Sequence, residues 1–332
     1  MIDIKVQRYS TEYERVWDEF LGNSINGTFL QSRNFLNYHG KNKFNDMSLL
    51  FYEGDNLVAI CPGCVDKIDD KKVFISHKGS SYGGIIIGKE YLRIEKISKL
   101  IEAFEKFIIK NGVFKCIIKM SMDILCELPQ DVVKFCLYYY GYTEYKELNF
   151  YIDFNNYNED IIKNCSKMKK RNIKKALKSE MEFKKLHLEY EIKEFHTILT
   201  KNLKKYNVKP VHSVEELMDL KDRLGDGIQF YGAYLGEQMV AGTMLFIFEN
   251  VKCVHTQYLA YDAEYQQYNP MAFIYYKIIE ICIQNGINKL SWGIATEHNG
   301  ENINWGLANN KEEFGSIHGI NSIYEKVFRE NE

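Results

Sequence analysis

The sequence predicts an α+β protein built from two similar domains in tandem, each a mixed, mainly antiparallel sheet flanked by helices. Two observations lead there. Strand-like and helix-like periods alternate along the 332 residues. Two features also recur in one order: a hairpin with a Val-Ala pair just past its turn, then an amphipathic helix stopped by Asn-Gly. The Val58-Ala59 and Val240-Ala241 pairs lie 182 residues apart, and the stops at Gly112 and Gly286 lie 174 apart. Such turns and stops are common by chance, but a shared order at nearly one offset favours a duplication.

Residues 1–9 read as a first strand and lack the apolar stretch of a signal peptide. A hairpin follows, from Leu49-Leu50-Phe51-Tyr52 through Glu53-Gly54-Asp55-Asn56 into Leu57-Val58-Ala59-Ile60. Residues 89–112 form a helix with Ile97, Leu100, Ile101, Phe104 and Ile108 on one face, and residues 116–118 the next strand. A boundary near residues 154–156 gives domains 1–154 and 155–332. Past it, residues 158–179, 191–206 and 214–223 read as helices, the last opened by the capping-box pair Ser213 and Glu216. The second hairpin runs from 230–235 into 239–243, residues 251–258 form a strand, and residues 271–285 form a helix striped by Ile274, Ile278, Ile281 and Cys282. A strand at 290–292 follows.

Composition excludes several classes. Hydrophobic residues at 45% and charged residues at 27% are ordinary for a globular protein. Only 4 Pro rule out Pro-rich linkers, and 8 Cys are too sparse for a disulfide scaffold. Lys+Arg 43 against Asp+Glu 45 leaves −2, so a whole-molecule basic field of the DNA-binding kind is absent. No apolar run reaches the length of a spanning helix. A cytoplasmic protein with reduced thiols is expected.

Charge is nevertheless concentrated in one place. Between Lys163 and Lys185 stand ten cations against Glu180 and Glu182, an expected basic helix over 158–185. Helical spacing puts Lys167, Arg171, Lys174 and Lys178 on one face, suited to phosphates or simply to solvent. Cys61-Pro62-Gly63-Cys64 has no second ligand pair, so buried small side chains are the preferred reading and no metal is expected. The Gly79–Gly84 run meets neither phosphate-loop pattern and leads into a strand, which leaves a turn lining a cleft, with Tyr82 as its polar aromatic. In the 251–258 strand, alternation sets His255 and Gln257 on one face and Val254, Thr256 and Tyr258 on the other. His255 with Gln257 suits holding and deprotonating a nucleophile, or else a satisfied core histidine. His212 either approaches a site from its loop or assists a helix start, and Trp292 is a further candidate for contact with substrate.

The order of short motifs is informative. Phe230-Tyr231-Gly232 and the hairpin are followed by Tyr261-Asp262-Ala263-Glu264, Asn285-Gly286, Leu290-Ser291-Trp292-Gly293 and Asn310-Lys311-Glu312-Glu313-Phe314-Gly315. Phe29-Leu30-Gln31-Ser32 and Arg171-Asn172-Ile173-Lys174-Lys175-Ala176 precede them. Together they resemble the FemAB-like branch of the GNAT acyltransferase superfamily over nearly the whole chain. The resemblance implies two tandem GNAT-like folds with the active cleft at the second, and transfer of an acyl or aminoacyl group to an amine. It implies Arg171, Lys174 and Lys175 on substrate phosphates of a nucleotide- or lipid-linked amino sugar, and Lys311, from the Lys-x-x-Phe-Gly motif, stabilising charge at the reacting carbonyl. An acetyl-CoA pyrophosphate loop falls at residues 267–272, with Gln267 and Ala272 as contacts, yet Pro270 stands where glycine is usual and removes one N–H. After Gln31-Ser32 the branch often has Trp and Lys; this chain has Phe35 and His39. The expected function is N-acetyl transfer from acetyl-CoA. Aminoacyl-tRNA-dependent transfer and an inactive phosphate- or glycan-binding module are the alternatives.

Overall fold

The computed structural model describes residues 2–40, 43–205 and 207–328; Met1 and Tyr206, assigned above to a strand and a helix end, lie outside them. Two compact units emerge: one takes in the described residues of Met1–Glu147, His298–Glu301 and Ile320–Glu332, the other Leu148–Glu297 and Asn302–Gly319. The division at 147–148, and the return of two later segments to the first unit, stand beside the single boundary near 154–156 drawn from sequence.

In the first unit the expected hairpin forms between strands Leu49–Glu53 and Asn56–Cys61, flanked by Ile4–Arg8 and Ile86–Ile87. Cys64–Ile68 pairs antiparallel with Lys71–Ile75, which pairs parallel with Val113–Lys119. The helix between that parallel pair is Ile94–Lys110, and its predicted apolar stripe is wholly buried against Leu49, Phe51, Phe74 and Cys116. It starts at Ile94 rather than 89, because residues 88–91 form a turn, Tyr91 N–H donating to the Gly88 carbonyl, that buries the Tyr91 ring.

The second unit repeats the plan. Glu182–Leu186, Ile228–Leu235, Gln238–Phe248 and Cys253–Tyr261 are antiparallel neighbours in that order. Cys253–Tyr261 then pairs parallel with Lys289–Ile294 across the helix Pro270–Gln284. Each unit thus combines antiparallel strands with one strand–helix–strand crossover, the α+β tandem expected from the offsets. The core gathers Phe150, Ile173, Phe273, Ile274, Ile278 and Phe314. The Ser213–Glu216 capping box forms as predicted and opens the helix Val214–Leu224.

The basic segment departs from expectation. Residues 158–179 are not one helix: a short turn, Ile161–Asn164, is followed by a new start at Ser166, whose hydroxyl accepts from Lys169 N–H and caps the helix Lys167–Ala176. Nor does helix reach 185, because Glu180 turns left-handed at φ 59° and Glu182–Leu186 becomes a strand with Phe183 stacked on Tyr231 at 5.1 Å. Cys61 and Cys64 are both buried; burial alone raises the Cys61 thiol far above its usual range and is the main cause that lifts Cys64 to about 11. Neither is a reactive thiolate.

Candidate active site

Within the second unit the parallel pairing of Cys253–Tyr261 with Lys289–Ile294 lasts for three residue pairs and ends at His255 and Ser291. Beyond that point the strands part. One runs on as half-buried residues 256–259; the other keeps its antiparallel pairing with Thr143–Asp153 on its far side, shifting register between Ser291 and Gly293 before it meets Phe150 and Asn149. Past the end of the ladder, side chains take up strand groups: Thr256 Oγ1 donates to the Ser291 carbonyl at 3.2 Å.

His255 stands at the fork. Its Nδ1 shares a hydrogen bond of 2.9 Å with Ser291 Oγ, which also accepts from Gly293 N–H and lies 3.4 Å from Asn149 Oδ1. Burial is the main cause that drives the imidazole down to about 4, with the nearby Lys311 charge second, so the ring is neutral around pH 7.

Lys311 comes from the last turn of the helix Trp305–Glu312 and is 3% exposed. Its Nζ donates to the carbonyls of Gly293 at 3.0 Å and Ile294 at 2.6 Å, just past the fork. Burial lowers its pKa to about 7. The rest of the Lys-x-x-Phe-Gly motif holds it there. Phe314 is fully buried, stacked on Tyr275 at 4.5 Å, and its carbonyl accepts from Tyr157 Oη at 2.9 Å. Gly315 turns the chain at φ 80°, where a Cβ would come within 3.0 Å of Asn164 and Tyr157.

The basic helix is locked to this element. Glu313 accepts from Ser166 Oγ at 3.1 Å and pairs with Lys169 at 3.3 Å. Ile173 and Ala176 are buried while Arg171, Lys174 and Lys175 face solvent.

The remaining candidates separate. Gln257 does not follow His255 by simple alternation. The strand bulges there, Leu245 pairing with Thr256 and Met244 with Tyr258, so Gln257 has no cross-strand partner. The neighbouring Tyr258 hydroxyl meets His212 Nδ1 at 2.6 Å. His212 is buried, and its carbonyl meets His196 Nε2 at 2.9 Å. Trp292 is 4% exposed and packs against Tyr275 at 4.3 Å. The bulge resets alternation at Gln257, and Leu290, Ser291 and Trp292 are buried in succession.

Gln267 is exposed on the turn Ala263–Tyr268, and Ala272 is buried in the first turn of Pro270–Gln284. Pro270 is the first helical residue, and the first intrahelical bond from the N-terminus is made by Phe273 N–H to Asn269, leaving N–H donors at Met271 and Ala272. Tyr82 belongs to the first unit, half-buried on the Gly79–Gly84 loop. In the sequence Ser291 and Tyr258 read only as motif and strand residues and Asn149 is not singled out; a signal for them is Gly293 inside a strand, a mark of close backbone approach or a bulge.

Residues 163–299 match the family model described as Acetyltransferase (GNAT) domain. A structure of FemX is similar to the chain at TM-score 0.71 and 10% identity, covering 98% of this chain and 97% of that one. The fold is a tandem GNAT-like fold. A structure of L-PGS from Bacillus licheniformis is similar at TM-score 0.61 and 11% identity, covering 97% and 94%. A tandem GNAT protein from the clavulanic acid biosynthesis pathway is similar at TM-score 0.57 and 8% identity, covering 98% of each. No curated protein sequence matches the chain significantly. No helix among the described residues is long and apolar enough to cross a membrane.

Proposed function

We propose that the protein is an N-acyltransferase that moves an acyl group from a CoA thioester to the amine of an amino sugar or related envelope precursor. The observation that carries this reading is the fork after His255 and Ser291, with the Lys311 ammonium buried beside it. A neutral amine attacks the thioester carbonyl; the C–N bond forms, the C–S bond breaks, the amine gives up a proton and the thiolate takes one. Charge develops on the carbonyl oxygen between those events. Lys311 has three N–H donors, two of them on strand carbonyls, and the third is the one proposed to meet that oxyanion. The neutral His255 orders Ser291, and through it the Gly293 amide, at the mouth of the fork. Arg171, Lys174 and Lys175 then serve the phosphates of a nucleotide- or lipid-linked acceptor.

Pro270 favours one second reading. With one N–H gone from the pyrophosphate position, an aminoacyl-tRNA donor is the competitor, and FemX and L-PGS are the similar folds that support it. Thermal unfolding with and without acetyl-CoA separates the two. A ligand at about 100 times its dissociation constant stabilises the native state by roughly 2.7 kcal/mol. An upward shift with acetyl-CoA that free CoA reproduces only in part supports the first reading. No shift, with label transferred from charged tRNA to an amine, replaces it by the second.

A further inference from the structure

Six cations, Lys167, Lys170, Arg171, Lys174, Lys175 and Lys178, line one shallow concave surface. Neighbouring cations are neutralised: Lys163 by Asp160, Lys169 by Glu313, Lys184 by Glu182 and Lys185 by Asp226. Among the described residues no ion pair is found for any of the six. At a rise of about 1.5 Å per residue the row from Lys167 to Lys178 runs about 16 Å. Arg171, Lys174 and Lys175 suffice for one diphosphate, so Lys167, Lys170 and Lys178 extend the row toward an anionic surface larger than a single acceptor.

The flanks say which surface. Met168 is 50% exposed and Leu177 41% exposed, and a turn of about 100° per residue sets them on opposite sides of the row. A nucleic-acid backbone offers such side chains nothing, and the helix has no aromatic ring on which bases stack. A bilayer offers headgroup phosphates to the cations and an apolar boundary to the flanks. We infer that this face docks the second unit onto an anionic lipid bilayer. The inference goes beyond the acyl-transfer reading and depends on no particular donor.

Co-sedimentation of the full chain with vesicles tests it. Binding is expected to vesicles of phosphatidylglycerol and phosphatidylcholine, not to phosphatidylcholine alone, and to fade between about 0.1 and 1 M salt. Each headgroup-facing cation contributes roughly fivefold, so Lys167→Glu/Lys170→Glu/Lys178→Glu is expected to weaken partitioning at least about 100-fold. A Met168→Ser/Leu177→Ser variant is expected to weaken binding while leaving its salt dependence unchanged. The triple variant spares Arg171, Lys174 and Lys175, so its thermal shift with acetyl-CoA reports on the acyl-transfer reading separately. Three results overturn the docking: no preference for anionic vesicles, vesicle binding that survives the triple substitution in a folded protein, or displacement of anionic vesicles by duplex RNA at equal phosphate concentration.

Discussion

Lys311 is held where an ammonium is costly and useful at once. Burial pushes it down to about 7, so the folded protein sheds a proton that the unfolded chain keeps until 10.5. Stability therefore rises with pH between about 7 and 10.5, by at most about 1.4 kcal/mol per pH unit, and Lys311→Met is expected to flatten that rise in denaturant titrations. The His255 sign is acid-side. The unfolded imidazole takes its proton near 6.5 and the folded one near 4, so stability is intact above 6.5 and falls as pH drops toward 4. On activity, the proposed competent form has His255 neutral and Lys311 charged, a window between about 4 and 7. Replacing Lys311 by Met is expected to cost roughly 100- to 1,000-fold in kcat. Lys311→Arg, which stays charged, is expected to remove the alkaline limb near 7 from the kcat/KM profile. If that limb persists unchanged in a folded Arg variant, Lys311 is not the group that titrates.

At the scale of elements, the motifs read in the sequence turn out to be mostly scaffolding around Lys311, the side chain proposed to meet the oxyanion. Phe314 and Gly315 fix Lys311, and Ile173 and Ala176 seat the basic helix so that its cations point outward. Gln31 is similar: fully buried, it closes a capping box with Thr28 and donates from Nε2 to Ser121 Oγ at 2.9 Å and to the Gly83 carbonyl. Periodicity found the stripes Ile97–Ile108 and Ile274–Cys282 because helix burial repeats regularly. It misjudged Gln257 because a bulge inserts one residue and resets alternation, which composition does not announce. It ran the basic helix too far because lysines favour helix at 158–185 irrespective of Ser166 and Glu180, where a cap and a left-handed residue break it. That cap is testable. Ser166→Ala removes both the N-cap acceptor and the bond to Glu313, and is expected to cost about 1 kcal/mol of stability. A loss of Lys311-dependent activity alongside it would tie the two helices functionally.

For the whole molecule, the duplication poses the question of why chemistry is assigned to only one copy. Both units carry a parallel strand pair across a helix, and in both that pairing is short. In the first unit the place where the strands would part is closed by protein. Ser76 N–H donates to the Ile117 carbonyl, Lys119 N–H to Ser76 Oγ at 2.7 Å, and Gly83 N–H to the Lys119 carbonyl at 3.0 Å. Gly83 lies so close that a Cβ would sit 1.9 Å from the Ser76 carbonyl oxygen. The Gly-rich loop, read in the sequence as a turn lining a cleft, is thus a plug across the first fork, while the second fork is left with Lys311 at its edge. Gly83→Ala cannot be absorbed by a flexible side chain, since the clash is with backbone, and it is expected to cost more than about 2 kcal/mol, at the upper end of single-residue effects. Chemical denaturation should show the loss, and acetyl-CoA affinity, measured well below the transition, should stay within about twofold of wild type. A stable Gly83→Ala protein would mean the loop can lift from the fork, and the first unit would then have to be counted as a second open site.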